Sequence, residues 1–270
     1  MTYKKELEVA LKLAKKAAKA IIPFYYEGMS VEGKEDGTPI TNADILANEI
    51  IQEGIQKAYP DDGIISEELE SVEGERIWYI DPIDGTKGFV RHTDHFAIHI
   101  GLANSKGKPV VGVVYKPTTN EYYFASEQSG AWRVSPGGMK KQLHLDYNVD
   151  YDKLCLATNS KLLRQDLGKK VQEVMNLKSI CVGGGQGLRM MYLLDGEADM
   201  QFGNYPNWCK AWDVCAPQAI IEEAGGLVTN IKGEKIRYTN QQELGDFFVV
   251  AKTKQLANYV CDKVKGILEE

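Results

Sequence analysis

The sequence predicts a chain of two textures, an α+β first half (residues 1–150) and an α/β second half (residues 151–270). Three observations carry that expectation. Two helix-period stretches open the chain and are followed by short β-branched runs bounded by turn residues. Beyond about residue 150, strand-sized and helix-sized segments alternate. The 270 residues, 43% of them hydrophobic, also suffice for one large core or two smaller ones. No linker-like composition separates the halves, so they are expected to pack as one body.

In order along the chain, a first helix is expected from Lys4 to Tyr26, kinked or stopped near Pro23, with Leu7, Leu11, Ala14, Ala18 and Ile21 facing inward. GMSVEGKEDGTP reads as a loop. A second helix opens at Thr41, carries Ile45, Ile50, Ile51 and Ile55 at helical spacing, and closes before Pro60. Strands are expected at Gly63–Ser66, Ile77–Ile80, Ala97–Leu102, Val110–Tyr115 and Tyr122–Ala125, with N-S-K-G-K as a hairpin turn. The second half should run strand (Leu154–Thr158), helix (Ser160–Met175), strand (Ser179–Val182), and a helix after GGGQG. A strand near Met200, a helix from Trp212 to Ala224, a strand at Phe247–Val250 and a helix after Thr253 complete it.

Composition excludes some function classes. A net charge of −6 provides no domain-wide basic field for a nucleic-acid polymer. It leaves room for a small anionic substrate, because bound cations invert a local field. No apolar run has transmembrane length, and the basic N-terminal helix reads as structural rather than membrane-bound. Five cysteines with no C-x-x-C pair argue against a disulfide framework and for a reducing compartment, so a cytoplasmic protein is expected.

The stretch WYIDPIDGTKGF carries the chemistry. It places Asp81 at the exit of a strand and Asp84 three residues on, around Pro82. Such a turn can aim both carboxylates and the Ile83 carbonyl at one point, the oxygen set that hard divalent cations take. Gly85 permits a backbone conformation closed to other residues, and the Gly85 and Thr86 amides can face an anion. Asp-Pro and Asp-Gly are also ordinary turn formers, and the spacing alone leaves both readings open. Three other acids stand in comparable positions. Glu67 follows a strand in GIISEELE, Asp44 sits three residues after a capping Thr41, and Asp213 begins an amphipathic helix in AWDVCAPQAIIEEAGG. Taken alone, Glu67 reads more readily as part of a solvated acidic run, Asp44 as a capping-box acid that can also serve a site, and Asp213 equally as a first-turn acid.

Taken together and in this order, the four elements resemble the lithium-sensitive, magnesium-dependent phosphatase superfamily that includes the inositol monophosphatases, over about Asp36 to Gly233. The resemblance implies a layered α-β-α-β-α sandwich of the sugar-phosphatase type and a metal-dependent phosphomonoesterase. It implies Glu67, Asp81, the Ile83 carbonyl, Asp84 and Asp213 as ligands for two or three Mg²⁺ ions, with Li⁺ as an inhibitor. The amides of Gly85 and Thr86 would hold phosphate, while Asp44 and the Thr86 hydroxyl would orient and deprotonate the attacking water. The partner would be a small phosphorylated substrate, and the chain a monomer or homodimer.

Within that superfamily, D-G-T-K at Lys87, the segment WCKAWDVCAP and the glycine-rich VGGGQGLRM resemble the 3′(2′),5′-bisphosphate nucleotidases and their inositol polyphosphate 1-phosphatase relatives. Gly185 and Arg189 would then contact a nucleotide, with hydrolysis of adenosine 3′,5′-bisphosphate to AMP and phosphate as the expected reaction. An inositol phosphate phosphatase, a histidinol-phosphate phosphatase and a non-catalytic metal- or nucleotide-binding protein remain as alternatives. A dinucleotide enzyme does not fit, because GGGQG lacks the fingerprint spacing. His92, His95 and His99 have no acid or cysteine at ligand spacing, so no zinc site is expected. Trp208 and Trp212 read as core or rim and Cys215 as a small core residue.

Overall fold

The computed structural model describes residues 3–28, 30–33, 39–204, 209–244 and 247–269, side chains at 39, 160, 179, 181, 204 and 268–269 excepted. Helix α1 spans Lys4–Glu27 and passes through Pro23 without stopping. The ring lies on the exposed face, where water can take the carbonyl that loses its partner. Ala10, Leu13, Ala14, Ala17, Ala18, Ile21 and Tyr25 are its buried residues, with Leu7 and Leu11 only half-buried at the margin. Two short strands, β1 (Val31–Gly33) and β2 (Pro39–Thr41), pair in the stretch expected to be loop, and residues 34–38 between them lie outside the described residues. Helix α2 (Asn42–Ala58) buries Ala43, Asp44, Ala47, Asn48, Ile51 and Ile55. That inward stripe differs from the expected one, since Ile45 is exposed and two polar side chains point in.

The next strands are β3 (Gly63–Ser66), β4 (Ile77–Asp84), β5 (Ala97–Ala103), β6 (Pro109–Lys116), β7 (Glu121–Ser126), β8 (Ala131–Val134) and β9 (Lys140–Leu143), with the short helix α3 (Thr86–Val90) after β4. They form one seven-stranded sheet in sequence order, parallel only between β3 and β4. The second half supplies β10 (Cys155–Thr158), α4 (Ser160–Arg164), α5 (Asp166–Met175), β11 (Ser179–Val182), α6 (Gln186–Met191), β12 (Met200–Asn204), α7 (Ala211–Glu223), β13 (Leu227–Asn230), β14 (Phe247–Ala251) and α8 (Lys254–Glu269). Its five strands order as β11-β10-β12-β14-β13, parallel at the first two junctions and antiparallel at the rest.

The helix expected at Ser160–Met175 is two helices, because Gln165 is extended and Gly168 packs so closely that a Cβ there would lie 2.1 Å from the Leu162 carbonyl oxygen. Strands β8, β9 and β13 and helix α3 were not anticipated.

Three buried clusters define the layers. One joins α1 and α2 to the seven-stranded sheet through Trp78, Ile80, Ile98 and Ile100. A second fills the space between the two sheets around α6 and α7, and takes Ile77 and Tyr79 from the alternate positions of β4. The third lies under α5 and α8. The result is the α-β-α-β-α sandwich. Each fully buried Ile contributes roughly 1.5–3 kcal/mol relative to exposure. Among the described residues no helix is long and apolar enough to cross a membrane. The four cysteines with described side chains, Cys155, Cys209, Cys215 and Cys261, are buried thiols outside any disulfide.

Two packing details aim the site. The first is a bulge in β4, which continues through Pro82 instead of turning away at Ile80 as expected. Asp81 pairs with His99 and Asp84 with Ala97, so three residues on β4 span two on β5. In a regular strand residues i and i+3 face opposite ways, and the single extra residue restores Asp81 and Asp84 to one side. Pro82, which has no N–H to offer the ladder, is suited to such a position.

The second is the bed on which α7 lies. Gly101 and Gly112 are register partners on β5 and β6. A Cβ at Gly101 would lie 2.7 Å from the Ala216 nitrogen and one at Gly112 2.2 Å from the Ala216 oxygen. Only glycine lets the backbone of α7 come so close, and this seats Asp213, in its first turn, over the end of β4.

Candidate active site

The acids expected to act together converge on one cavity of about 410 Å³. Its wall includes Glu67, Asp81, Ile83, Asp84, Gly85, Thr86 and Asp213. Asp81, Asp84 and Asp213 each place a carboxylate oxygen within 4.8 Å of the others. Burial and the neighbouring acids, Glu67 and Asp84 first among them, hold the Asp81 carboxyl far above the usual carboxylate range. Burial together with Asp84 pushes Asp213 up to about 8. Keeping three such groups ionised side by side costs several kcal/mol at intermediate dielectric, a cost that a divalent cation reverses. All the donors are oxygens, with no sulfur or imidazole in the cluster, which suits Mg²⁺-like hard ions. The residues present therefore fit a metal centre. Glu67 is half-buried on the loop after β3 and reaches the same cavity.

Each acid is fixed by its local fold. The Asp81 Oδ1 accepts the Ile83 amide at 3.0 Å across the bulge. Asp213 closes a box at the start of α7 by accepting the Lys210 amide at 2.5 Å. Asp84 is held from the far side of the cavity, where the amides of Gln186 and Gly187 at the start of α6 donate to Oδ1 and Oδ2 at 2.7 and 2.8 Å. This contact explains Gly185, whose Cβ would lie 2.3 Å from an Asp84 oxygen.

Asp44 is fully buried and lies behind Thr86. Its Oδ2 accepts both the Thr41 amide and the Thr41 hydroxyl, at 2.8 and 2.6 Å, completing the expected capping box. The Thr86 hydroxyl lies 3.4 Å from Asp44 Oδ1 and 3.2 Å from the Ile83 carbonyl. Thr86 thus connects Asp44 to the cavity, and one carboxylate serves both the helix cap and the site. Gly85 has φ 97° and precedes α3. A side chain there would meet the His95 carbonyl at 2.6 Å. In α3 the Gly88 and Phe89 amides donate to the Gly85 carbonyl at 2.7 and 3.2 Å, and the Thr86 amide, at the first helical position, has no carbonyl one turn earlier within the helix.

Arg189 is buried on α6 and lines the cavity, but two of its N–H groups bind the Gly184 carbonyl and the Gln186 side chain. Six further wall residues were not assigned a site role from sequence: Gly88, His95, Asn159, Gly184, Gln186 and Cys209. Asn159 caps α4 through Leu162, so an N-cap signal in TNSKLL was available for it. His99, set aside in sequence for lack of an acidic neighbour, is fully buried with Nε2 3.3 Å from Asp84 Oδ2. Burial pushes its pKa down. His92 packs on Tyr25 instead. Cys215 and Trp212 are buried, and Trp208 lies outside the described residues.

Comparison with known proteins gives a consistent picture. The model of the inositol monophosphatase family matches residues 3–269. The chain is 30% identical to the 3′(2′),5′-bisphosphate nucleotidase CysQ of Salmonella typhimurium, over 87% of this chain and 95% of that protein. It is equally 30% identical to the Nus factor SuhB of Pasteurella multocida, over 98% and 97%. An IMPase structure from Thermotoga maritima superposes with a TM-score of 0.82 at 27% identity, covering 98% of both chains.

Proposed function

The chain belongs to the inositol monophosphatase family and is a metal-dependent phosphoric monoester hydrolase, and from that premise we propose that it is a 3′(2′),5′-bisphosphate nucleotidase using Mg²⁺. One observation carries the substrate reading. Besides the acids, the lining of the cavity includes two cations, Lys87 and Arg189, which suit a substrate bearing a second phosphate. The likeness to a nucleotidase of that class supports it.

In this reading Glu67, Asp81, the Ile83 carbonyl, Asp84 and Asp213 hold two or three Mg²⁺ ions. Bound magnesium supplies the charge that admits a phosphate monoester, lowers the pKa of a water and stabilises the leaving oxygen. The Gly85 and Thr86 amides orient the phosphate. Asp44, through the Thr86 hydroxyl, accepts the proton of the attacking water. Gly185 keeps the α6 turn tight against Asp84, and Arg189 braces that turn and faces the nucleotide. Lithium, competing for a cation position, is expected to inhibit.

The test is magnesium-dependent phosphate release from adenosine 3′,5′-bisphosphate, inositol 1-phosphate, inositol 1,4-bisphosphate and histidinol phosphate at equal concentration. Preference for the bisphosphate nucleotide supports the proposal. Preference for an inositol or histidinol ester refutes the substrate and leaves the hydrolase.

A further inference from the structure

Asp84 is approached by three groups from two elements, α6 and β5. Helix α6 donates the Gln186 amide to Oδ1 and the Gly187 amide to Oδ2. From β5, the ring of His99 sets Nε2 3.3 Å from Oδ2. The ring has no solvent exposure, and neither nitrogen makes a well-aligned hydrogen bond. Burying an imidazole with both nitrogens in that condition is unfavourable, and such a group calls for a reason. Space around it is also tight. A Cβ on Gly187 would lie 2.3 Å from His99 Cε1 and 2.4 Å from Nε2, so α6 must have glycine here for the ring and the carboxylate to share one pocket. The backbone of Trp212, one residue before Asp213, is a second polar neighbour of the ring.

A carboxylate has about four lone-pair positions. The two α6 amides take one on each oxygen, and an Nε2–H would take the second on Oδ2. One position then remains, on Oδ1. We infer that His99 is a positioning residue for the metal centre: its Nε2–H closes Oδ2 of Asp84, so that Asp84 meets a cation through Oδ1 alone. This rests on the reading of Asp84 as a metal ligand. The proton belongs on Nε2 because a hydrogen bond to a charged acceptor is stronger than one to the neutral Trp212 carbonyl. Support of this kind behind a ligand typically changes metal affinity by about 10–100-fold.

Calorimetric titration of Mg²⁺ into the whole protein tests this without turnover. His99→Leu should bind at least about ten-fold more weakly than wild type, and His99→Gln, which places an N–H where Nε2 stood, should recover most of the loss. Equal weakening in both variants, or wild-type affinity in His99→Leu, overturns the inference. Asp84→Asn runs alongside, and unchanged affinity there overturns the ligand reading itself, so the two failures are distinguishable. Should His99→Leu not fold, a long-range ¹H–¹⁵N spectrum of the histidine-labelled, metal-free wild type decides. Its His99 signals, identified by their loss in His99→Gln, should show a proton on Nε2. A proton on Nδ1 alone overturns the inference.

Discussion

Replacing Gly112 by alanine tests whether the bed under α7 sets the position of Asp213. The added Cβ would lie 2.2 Å from the Ala216 carbonyl oxygen and 3.0 Å from its carbon. Both atoms are backbone, so no side chain can swing aside, and ordinary contact requires about 1 Å more. Helix α7 must lift or the sheet must bow. Overpacking of this kind costs about 1–3 kcal/mol, which for a chain of this size lowers the Tm by roughly 2–10 °C. Asp213 lies three residues before Ala216 on the same rigid helix, so a lift of that size also moves its carboxylate relative to Asp81 and Asp84. Gly112→Ala should therefore weaken Mg²⁺ binding and turnover while keeping the fold, measured by calorimetry, phosphate release and thermal unfolding. A variant with unchanged Tm and unchanged Mg²⁺ affinity refutes the reasoning. A lower Tm with full affinity would show that the bed matters to stability and not to aim.

Three other outcomes are expected. The raised carboxyls give metal-free protein a definite pH dependence. A group whose folded pKa exceeds its unfolded value contributes stability below the unfolded value and loses it up to the folded one, so Tm without metal should fall from about pH 4 to about pH 8, the window set by Asp213. Saturating Mg²⁺ should flatten that slope, and a Tm rising over this window without metal contradicts the assignment. Asp44→Asn should cut turnover at least about 100-fold with Mg²⁺ affinity kept, since the loss is that of a proton acceptor, and equal loss of both in the same titrations would make Asp44 a ligand. Arg189→Met should weaken adenosine 3′,5′-bisphosphate at least about ten-fold more than inositol 1-phosphate, read from kcat/KM, while an equal effect on both marks a bracing role alone.

Much of the site was legible because its parts have strong local grammar. Thr41 and Asp44 form a capping box in sequence and in space. The glycine after Asp84 adopts the left-handed backbone it was expected to need. What escaped was non-local. The bulge that puts Asp81 and Asp84 on one side depends on pairing with β5, and the hold of α6 on Asp84 joins residues more than a hundred positions apart. His99 looked partnerless in sequence for the same reason. Ile45 was misplaced because α2 turns Asp44 and Asn48 inward, serving the site at the expense of an apolar stripe. The hairpin β8–β9 was missed because Lys140, Lys141 and Gln142 are exposed and leave little apolar alternation to read.

The glycine pair beneath α7 bears on how the molecule comes together. The carboxylates of β4 come from one sheet, whereas Asp213 reaches them only when a helix from the other half of the chain settles on β5 and β6. That docking is a contact of long sequence separation, the kind whose loop-closure entropy must be met before any reward arrives. Cation affinity should therefore be acquired late during refolding, after most secondary structure. A fluorescent lanthanide added to refolding protein would time the union of the two halves, with the metal site acting as the chain's own clock for completed assembly.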